Sequence, residues 1–244
     1  MSGDTIRCMH EGVALEGLVA RPSGLGPFPT VMVMHSAHGL REQVRDTIAK
    51  LASLGYLAIA TDMYGAEVQN APIEAAHNAY GQFIGEGMAK VRSRSLAWFE
   101  AARALPDVDP ARVAAIGYCF GGHCVLELAR AGADLQLVVS FHGTLKTHAP
   151  AEPGVPHCEV VAYCGAQDPF APIEDVDALR SELTAAGARY QITVFGDAAH
   201  SFTDPDAERM SPDIEGIRYN AMAHRVSWAG TLTLLAALLG PDAM

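Results

Sequence analysis

Apolar positions along most of the chain fall in short continuous runs rather than in strict alternation. TVMVMHS (30–36), YLAIATDMYG (56–65), VAAIGYC (113–119), LQLVVSFHG (135–143) and VPHCEVVAYCG (155–165) each read as a strand buried on both faces. YQITVFG (190–196) is a further strand. Between these runs the spacing lengthens to that of helices: about Arg41 to Leu54, stopped by Gly55, then residues 71 to 105 with a glycine-containing break near 81–87. Further helices are expected from about Phe120 and from about Ile173 to Ala186. GVALEGLVARP is a hairpin-like opening that ends at Pro22 and a Gly/Pro loop. Ser211-Pro212 has the form of a helix start, a capping hydroxyl with proline in the first turn, so a long C-terminal helix is expected to follow it.

Strands alternating with helices predict an α/β fold, a single domain over 1–244 with a mainly parallel sheet flanked by helices on both faces. That length allows a full core but little room for a separate lid. In such sheets ligands gather at the carboxyl ends of the strands, so functional residues should lie just after strands.

Composition narrows the partners. The 17 Lys and Arg against 28 Asp and Glu give a net charge of −11, which disfavours nonspecific binding to phosphate or to anionic membranes. No basic run, basic–aromatic interleaving or zinc-finger spacing suggests nucleic acid. The opening MSGDTIRCMHEGVALEG lacks the pattern of a signal peptide, and WAGTLTLLAALLG is too short for a membrane span, so it reads as a packed terminal helix. Five cysteines, an odd number with no dense framework, indicate a reducing, cytoplasmic setting.

The chemistry centres on AAIGYCFGGHCVLEL (114–128), an apolar strand entering a glycine-rich turn and then an apolar helix. This is the layout of a nucleophile elbow with Cys119 at its centre. Gly117, Gly121 and Gly122 suit a strained backbone and close helix–strand packing, and a helix N-terminus favours thiolate over thiol. A structural cysteine beside a glycine turn is the plainer alternative for this motif alone. Asp168, in AYCGAQDPF, follows the next-to-last long strand and His200, in VFGDAAHSF, follows the last, in the chain order nucleophile, acid, histidine. Three such residues at three strand ends make Cys119 the nucleophile, His200 the base and Asp168 its orienting acid. The oxyanion donors expected are the backbone N–H groups of Phe120 and of Ala37, in the HSAHGL loop.

The other candidates are weaker. His123 reads as a packing residue, and His142 follows a strand end but has no acid placed to orient it. His148, His157 and Cys158 match no standard metal spacing, so no metal is expected. Asp197 lies too close to His200 in the chain to serve as its acid, and Asp175 and Asp177 read as positions on a solvated helix. Ser36, Met63, Tyr64, Tyr80, Phe83, Phe170 and Phe202 are candidates for a substrate pocket, with core packing equally open for several of them.

With these residues placed, the chain resembles the dienelactone hydrolase family of α/β-hydrolases along nearly its whole length, the HSAHGL loop, DMYG and FGDAAHSF included. The resemblance implies hydrolysis of ester or lactone bonds by a Cys–His–Asp triad without metal or organic cofactor, on a small-molecule ester or lactone substrate. The family's namesake opens an unsaturated lactone to maleylacetate. Two positions depart from the family. A family glutamate that activates the thiol is replaced by Ser36, which cannot accept a proton near neutral pH. The namesake also binds its substrate's carboxylate with arginines, yet no Arg or Lys occurs from Asp62 to Ala89, leaving Arg209 as a possible partner. The expectation is therefore direct ionisation of Cys119 by His200, with His35 or His38 as the alternative base. A binding or regulatory protein on the same scaffold, and a thioesterase or acyl-transfer enzyme on the same triad, remain open alternatives.

Overall fold

The computed structural model describes residues 4–69 and 71–240. In chain order the elements are β1 (Asp4–His10), β2 (Val13–Ala20), β3 (Phe28–Met34), α1 (Glu42–Ser53), β4 (Leu57–Thr61), α2 (Ala66–Gln69), α3 (Ile73–Gly85) and α4 (Met88–Arg103). They continue as β5 (Val108–Tyr118), α5 (Phe120–Arg130), β6 (Leu137–Phe141), β7 (Glu159–Gly165), α6 (Ile173–Ala185), β8 (Arg189–Phe195), α7 (Ala207–Met210) and α8 (Ala221–Leu239). All eight strands form one sheet in the order β1-β2-β4-β3-β5-β6-β7-β8. From β4 to β8 every pairing is parallel, whereas β1 and β2 run antiparallel at one edge.

The hairpin begins earlier than its second strand suggested. β1 pairs with β2 from Asp4↔Val19 to His10↔Val13, and the chain reverses at Glu11 (φ 50) and Gly12 (φ 78), the left-handed pair that a tight hairpin turn requires. The segment read as a hairpin is therefore β2 alone.

Alternate residues of the central strands face opposite layers. Met32 and Met34 of β3 pack with Trp98, Phe99 and Leu126 of α4 and α5. Val31 and Val33 face the other way, with Val44 and Leu51 of α1 and Leu235 and Leu239 of α8. Helices thus cover both faces, and the buried stretches of the central strands are largely apolar because neither face meets water.

The C-terminal helix corrects the expected start. Ser211-Pro212 does not open it; α8 begins at Ala221, where the Asn220 side chain accepts the N–H groups of Met222 and Ala223. Asn at the cap satisfies two orphan helix donors, a stronger signal than a proline in a loop. No helix among the described residues is long and apolar enough to cross a membrane.

Candidate active site

The turn after β5 is fixed by what its glycines exclude. A Cβ on Gly117 would lie 2.0 Å from the Gly121 carbonyl oxygen, and one on Gly121 would lie 2.1 Å from that of Met34. A Cβ on Gly122 would meet Ser140 Oγ at 2.6 Å. Only this close passage of α5 over the ends of β3 and β6 lets Cys119 stand between strand and helix. Cys119 holds φ 53 and ψ −113, a conformation that disfavours any side chain, and its N–H donates to the Phe141 carbonyl at 3.0 Å.

Asp168 and His200 arrive on the loops after β7 and β8. His200 Nδ1 donates to Asp168 Oδ2 at 2.8 Å, with both side chains almost fully buried. The other oxygen of Asp168 accepts the N–H groups of Phe170 at 2.8 Å and Ala171 at 3.3 Å, so the carboxylate is held by its own turn. The histidine loop is braced by His200 N–H to the Gly216 carbonyl (2.9 Å) and by Arg218 N–H to the His200 carbonyl (3.0 Å). That brace comes from the segment ahead of α8, and no periodicity in the sequence marks it.

The structure therefore brings Cys119, His200 and Asp168 together. Burial opposes ionisation of the half-buried Cys119, but the charge and hydrogen bond of His200 and the backbone N–H groups of Ala37 and Phe120 outweigh it, and the thiol is driven below its ordinary range. Burial likewise opposes a charge on His200, and the Cys119 thiolate and Asp168 overcome it, so the imidazole is pushed up to about 10. The two backbone donors expected for an oxyanion are those that face the sulfur.

Both neighbouring histidines are engaged elsewhere. His35 is buried; its Nε2 accepts the Met63 N–H at 3.0 Å, and its Nδ1 donates to the Ser36 carbonyl at 2.6 Å. Burial first, then the nearby His77 and Arg41, lower His38 to about 4, and its Nε2 lies 3.3 Å from Ser211 Oγ. Ser36 Oγ accepts the His38 N–H at 3.3 Å. The groups that act most on the Cys119 sulfur are thus an imidazole and two backbone N–H groups, none of them a carboxylate.

The pocket candidates divide. Tyr64, Tyr80 and Phe83 pack their rings on Phe120, with centroids 6.0, 5.4 and 5.8 Å away. The Tyr64 hydroxyl donates to the Ala37 carbonyl at 3.3 Å and so steadies the donor loop. Met63 is fully buried and keeps to the core. Phe170, 42% exposed, sets its ring 4.8 Å from that of His200. Phe202 is a correction: it is fully buried between Phe195 and His142 and lines no pocket, because its side chain points to the layer shared with α8. A cleft of about 1060 Å³ opens beside Ser36, with His38, Arg41, His77 and Arg209 among its walls. Arg209 is exposed and paired with Asp206 at 3.0 Å.

The remaining candidates take structural places. His123 is buried, with Nδ1 3.2 Å from the Thr144 carbonyl. Asp177 is exposed and pairs with Arg180, whereas Asp175 is largely covered and lies 3.6 Å from Lys146. The Asp197 carbonyl accepts from Arg218 rather than serving His200. Among the described residues no group of three His, Cys, Asp or Glu side chains is arranged to hold a metal ion.

The sequence model of the dienelactone hydrolase family matches residues 15–239. The chain belongs to that family. It is accordingly a hydrolase on the α/β fold just described. A crystal structure of a dienelactone hydrolase-like promiscuous phosphotriesterase from metagenomic libraries is 34% identical, covers 98% of this chain and 99% of its own, and superposes with a TM-score of 0.90. An uncharacterized protein of Caenorhabditis elegans is 35% identical over 60% of this chain and 92% of its own length. A Synechocystis protein provisionally named carboxymethylenebutenolidase is 29% identical over 79% of this chain and 83% of its own.

Proposed function

We propose that this dienelactone hydrolase cleaves carboxylic esters or lactones with Cys119 as nucleophile, His200 as proton shuttle and Asp168 as its anchor. The observation that carries the reading is the His200 imidazole facing a strained Cys119 whose sulfur also meets two backbone donors. In the resting enzyme the thiol proton sits on His200. The thiolate attacks the carbonyl carbon, and the N–H groups of Phe120 and Ala37 hold the developing oxyanion. Collapse breaks the bond to the leaving oxygen, which takes the proton from His200, and leaves a thioester on Cys119. His200 then removes a proton from water, hydroxide adds to the thioester, and the second intermediate expels the thiolate with the acid product. Five unpaired cysteines support a reducing, cytoplasmic setting for this chemistry.

The 34% identical phosphotriesterase favours a second activity on the same site. A phosphotriester would place its P=O oxygen on the same two donors while Cys119 displaces an aryloxide.

The test uses aryl acetates, small lactones, acyl thioesters and an aryl phosphotriester with the wild type, Cys119→Ala and His200→Ala. Loss of ester turnover by about 10³-fold or more in both variants, with an acyl adduct on Cys119 seen by mass spectrometry, is the expected result. Ester turnover that survives Cys119→Ala sinks the reading. Tight ligand retention without turnover would identify a binding protein instead, and a preference for thioesters would identify a thioesterase.

A further inference from the structure

His142 follows β6 at the level of Cys119 and takes φ 41, a left-handed conformation that disfavours an ordinary side chain. It is one of three non-glycine residues near the site, with Cys119 and Ser201, that hold positive φ. Its N–H donates to the Tyr163 carbonyl at 2.8 Å, which fixes the ring's direction. The ring is buried, edge-on to His200 at 5.2 Å and to Phe202 at 5.1 Å, and 6.3 Å from Tyr118, the residue before the nucleophile.

The polar contacts of this ring form a chain. Gln43 Nε2 donates to Thr203 Oγ1 at 3.1 Å, and Thr203 Oγ1 lies 2.8 Å from His142 Nε2. His142 Nδ1 is buried without a hydrogen-bond partner among the described residues. A second proton would therefore bury an unpaired charge beside the His200 imidazolium, and the ring stays neutral. Burial first, then the charge of His200, holds its protonation well below the ordinary range.

That chain joins three parts of the site. Thr203 lies on the loop that carries His200, Gln43 lies in α1 just after the loop of Ser36 and Ala37, and His142 lies beside the residue whose carbonyl receives the Cys119 N–H. We infer that His142, through Thr203, is a positioning residue that holds the His200 ring against the Cys119 sulfur. An aromatic ring of similar shape would fill the space but would not tie down the loop.

The inference rests on the thiolate–imidazolium reading, and the test separates the two. The charged or titratable groups facing His142 are His200 and, from α8, His224, with Tyr118 from β5; those acting on or beside His200 are Cys119, Asp168 and His38. The rate of Cys119 alkylation by iodoacetamide is measured from pH 4 to 9 in the wild type, Thr203→Val, His142→Asn, the double variant and His200→Ala. Valine keeps the shape of threonine without its hydroxyl, and asparagine tolerates positive φ but is too short to reach Thr203. In each single variant the midpoint should rise by about one pH unit, a tenfold loss of thiolate on the acid side, and the double variant should rise no further. A midpoint unchanged in Thr203→Val overturns the inference, whatever happens to its melting temperature. A midpoint unchanged in His200→Ala overturns the thiolate–imidazolium pair itself, and this positioning role with it.

Discussion

His35 Nε2 accepts the backbone N–H of Met63 at 3.0 Å, across the gap between the loops that follow β3 and β4. With Nδ1 donating to the Ser36 carbonyl, the ring is a neutral strut that holds the Ala37 donor loop against the end of β4. Its burial, only partly offset by the Ser36 carbonyl and Asp62, keeps its protonation below the ordinary histidine range.

Replacing His35 by alanine therefore removes a strut rather than a base. The Met63 N–H loses its buried acceptor, and stability should fall by about 1–3 kcal/mol in urea denaturation at pH 7. Because the Ala37 N–H acts less on the Cys119 sulfur than His200 does, the pH midpoint of Cys119 alkylation should rise by much less than in His200→Ala. A rise as large as that of His200→Ala would make His35 the activating base.

Gly117 and Gly81 give opposite expectations for the same substitution. At Gly117 a Cβ falls 2.0 Å from the Gly121 carbonyl oxygen and 2.2 Å from its carbon, both of them backbone atoms that cannot swing aside. Gly117→Ala should cost about 3 kcal/mol or more and displace Cys119. Gly81 lies within α3 with nothing within 4 Å of an added Cβ, so Gly81→Ala should stabilise by about 0.5–1 kcal/mol. Thermal melts of the two variants check both signs.

Glu127 lies fully buried on α5, the helix that follows Cys119, paired with Arg92 Nε at 2.7 Å and Arg130 Nη1 at 3.0 Å. Arg130 also reaches Glu182 through two nitrogens, at 2.8 and 2.9 Å. Glu127→Ala leaves Arg92 without its carboxylate and Arg130 with only Glu182, a change expected to cost about 3–5 kcal/mol by urea denaturation. Glu127 lies roughly 12 Å along the helix axis from Cys119, so the alkylation midpoint should not move.

The placement of Cys119, Asp168 and His200 was legible because Cys119 and Asp168 each follow an apolar run that reads as a buried strand, His200 follows the edge strand β8, and chain order did the rest. The glycines at 117, 121 and 122 were legible for the same reason: close backbone passage leaves a compositional mark. Thr203, Gln43 and the brace from Gly216 to Arg218 were not legible, because they join loops distant in sequence and obey no period. Phe202 was misplaced because an aromatic two residues after His200 carries no sign of which side of the strand layer it faces. The start of α8 was misplaced because Ser-Pro and Asn both suit a helix start, and only the tertiary course of residues 212–219, tied to His200, chooses Asn220.

The coupling of Cys119 and His200 predicts how stability depends on pH. Cys119 is depressed in the folded state, so its contribution is complete above the unfolded thiol value of about 8.5 and is lost as pH falls through the folded value. His200 is raised, so its contribution is complete below about pH 6.5 and is lost as pH rises toward about 10. Because each partner needs the other charged, the joint contribution should be greatest between about pH 6.5 and 8.5 and should fall on both sides. Cys119→Ser removes the anion and with it the largest influence raising His200, so the serine variant should lack this maximum. The difference in unfolding free energy between wild type and Cys119→Ser, measured in urea from pH 5 to 10, checks the prediction. In parallel, the His200 ring followed by NMR should remain protonated at pH 7 in the wild type and lose its proton at lower pH in Cys119→Ser. A difference that is flat with pH, or a His200 ring already neutral at pH 7 in the wild type, would mean that the thiol keeps its proton until substrate binds.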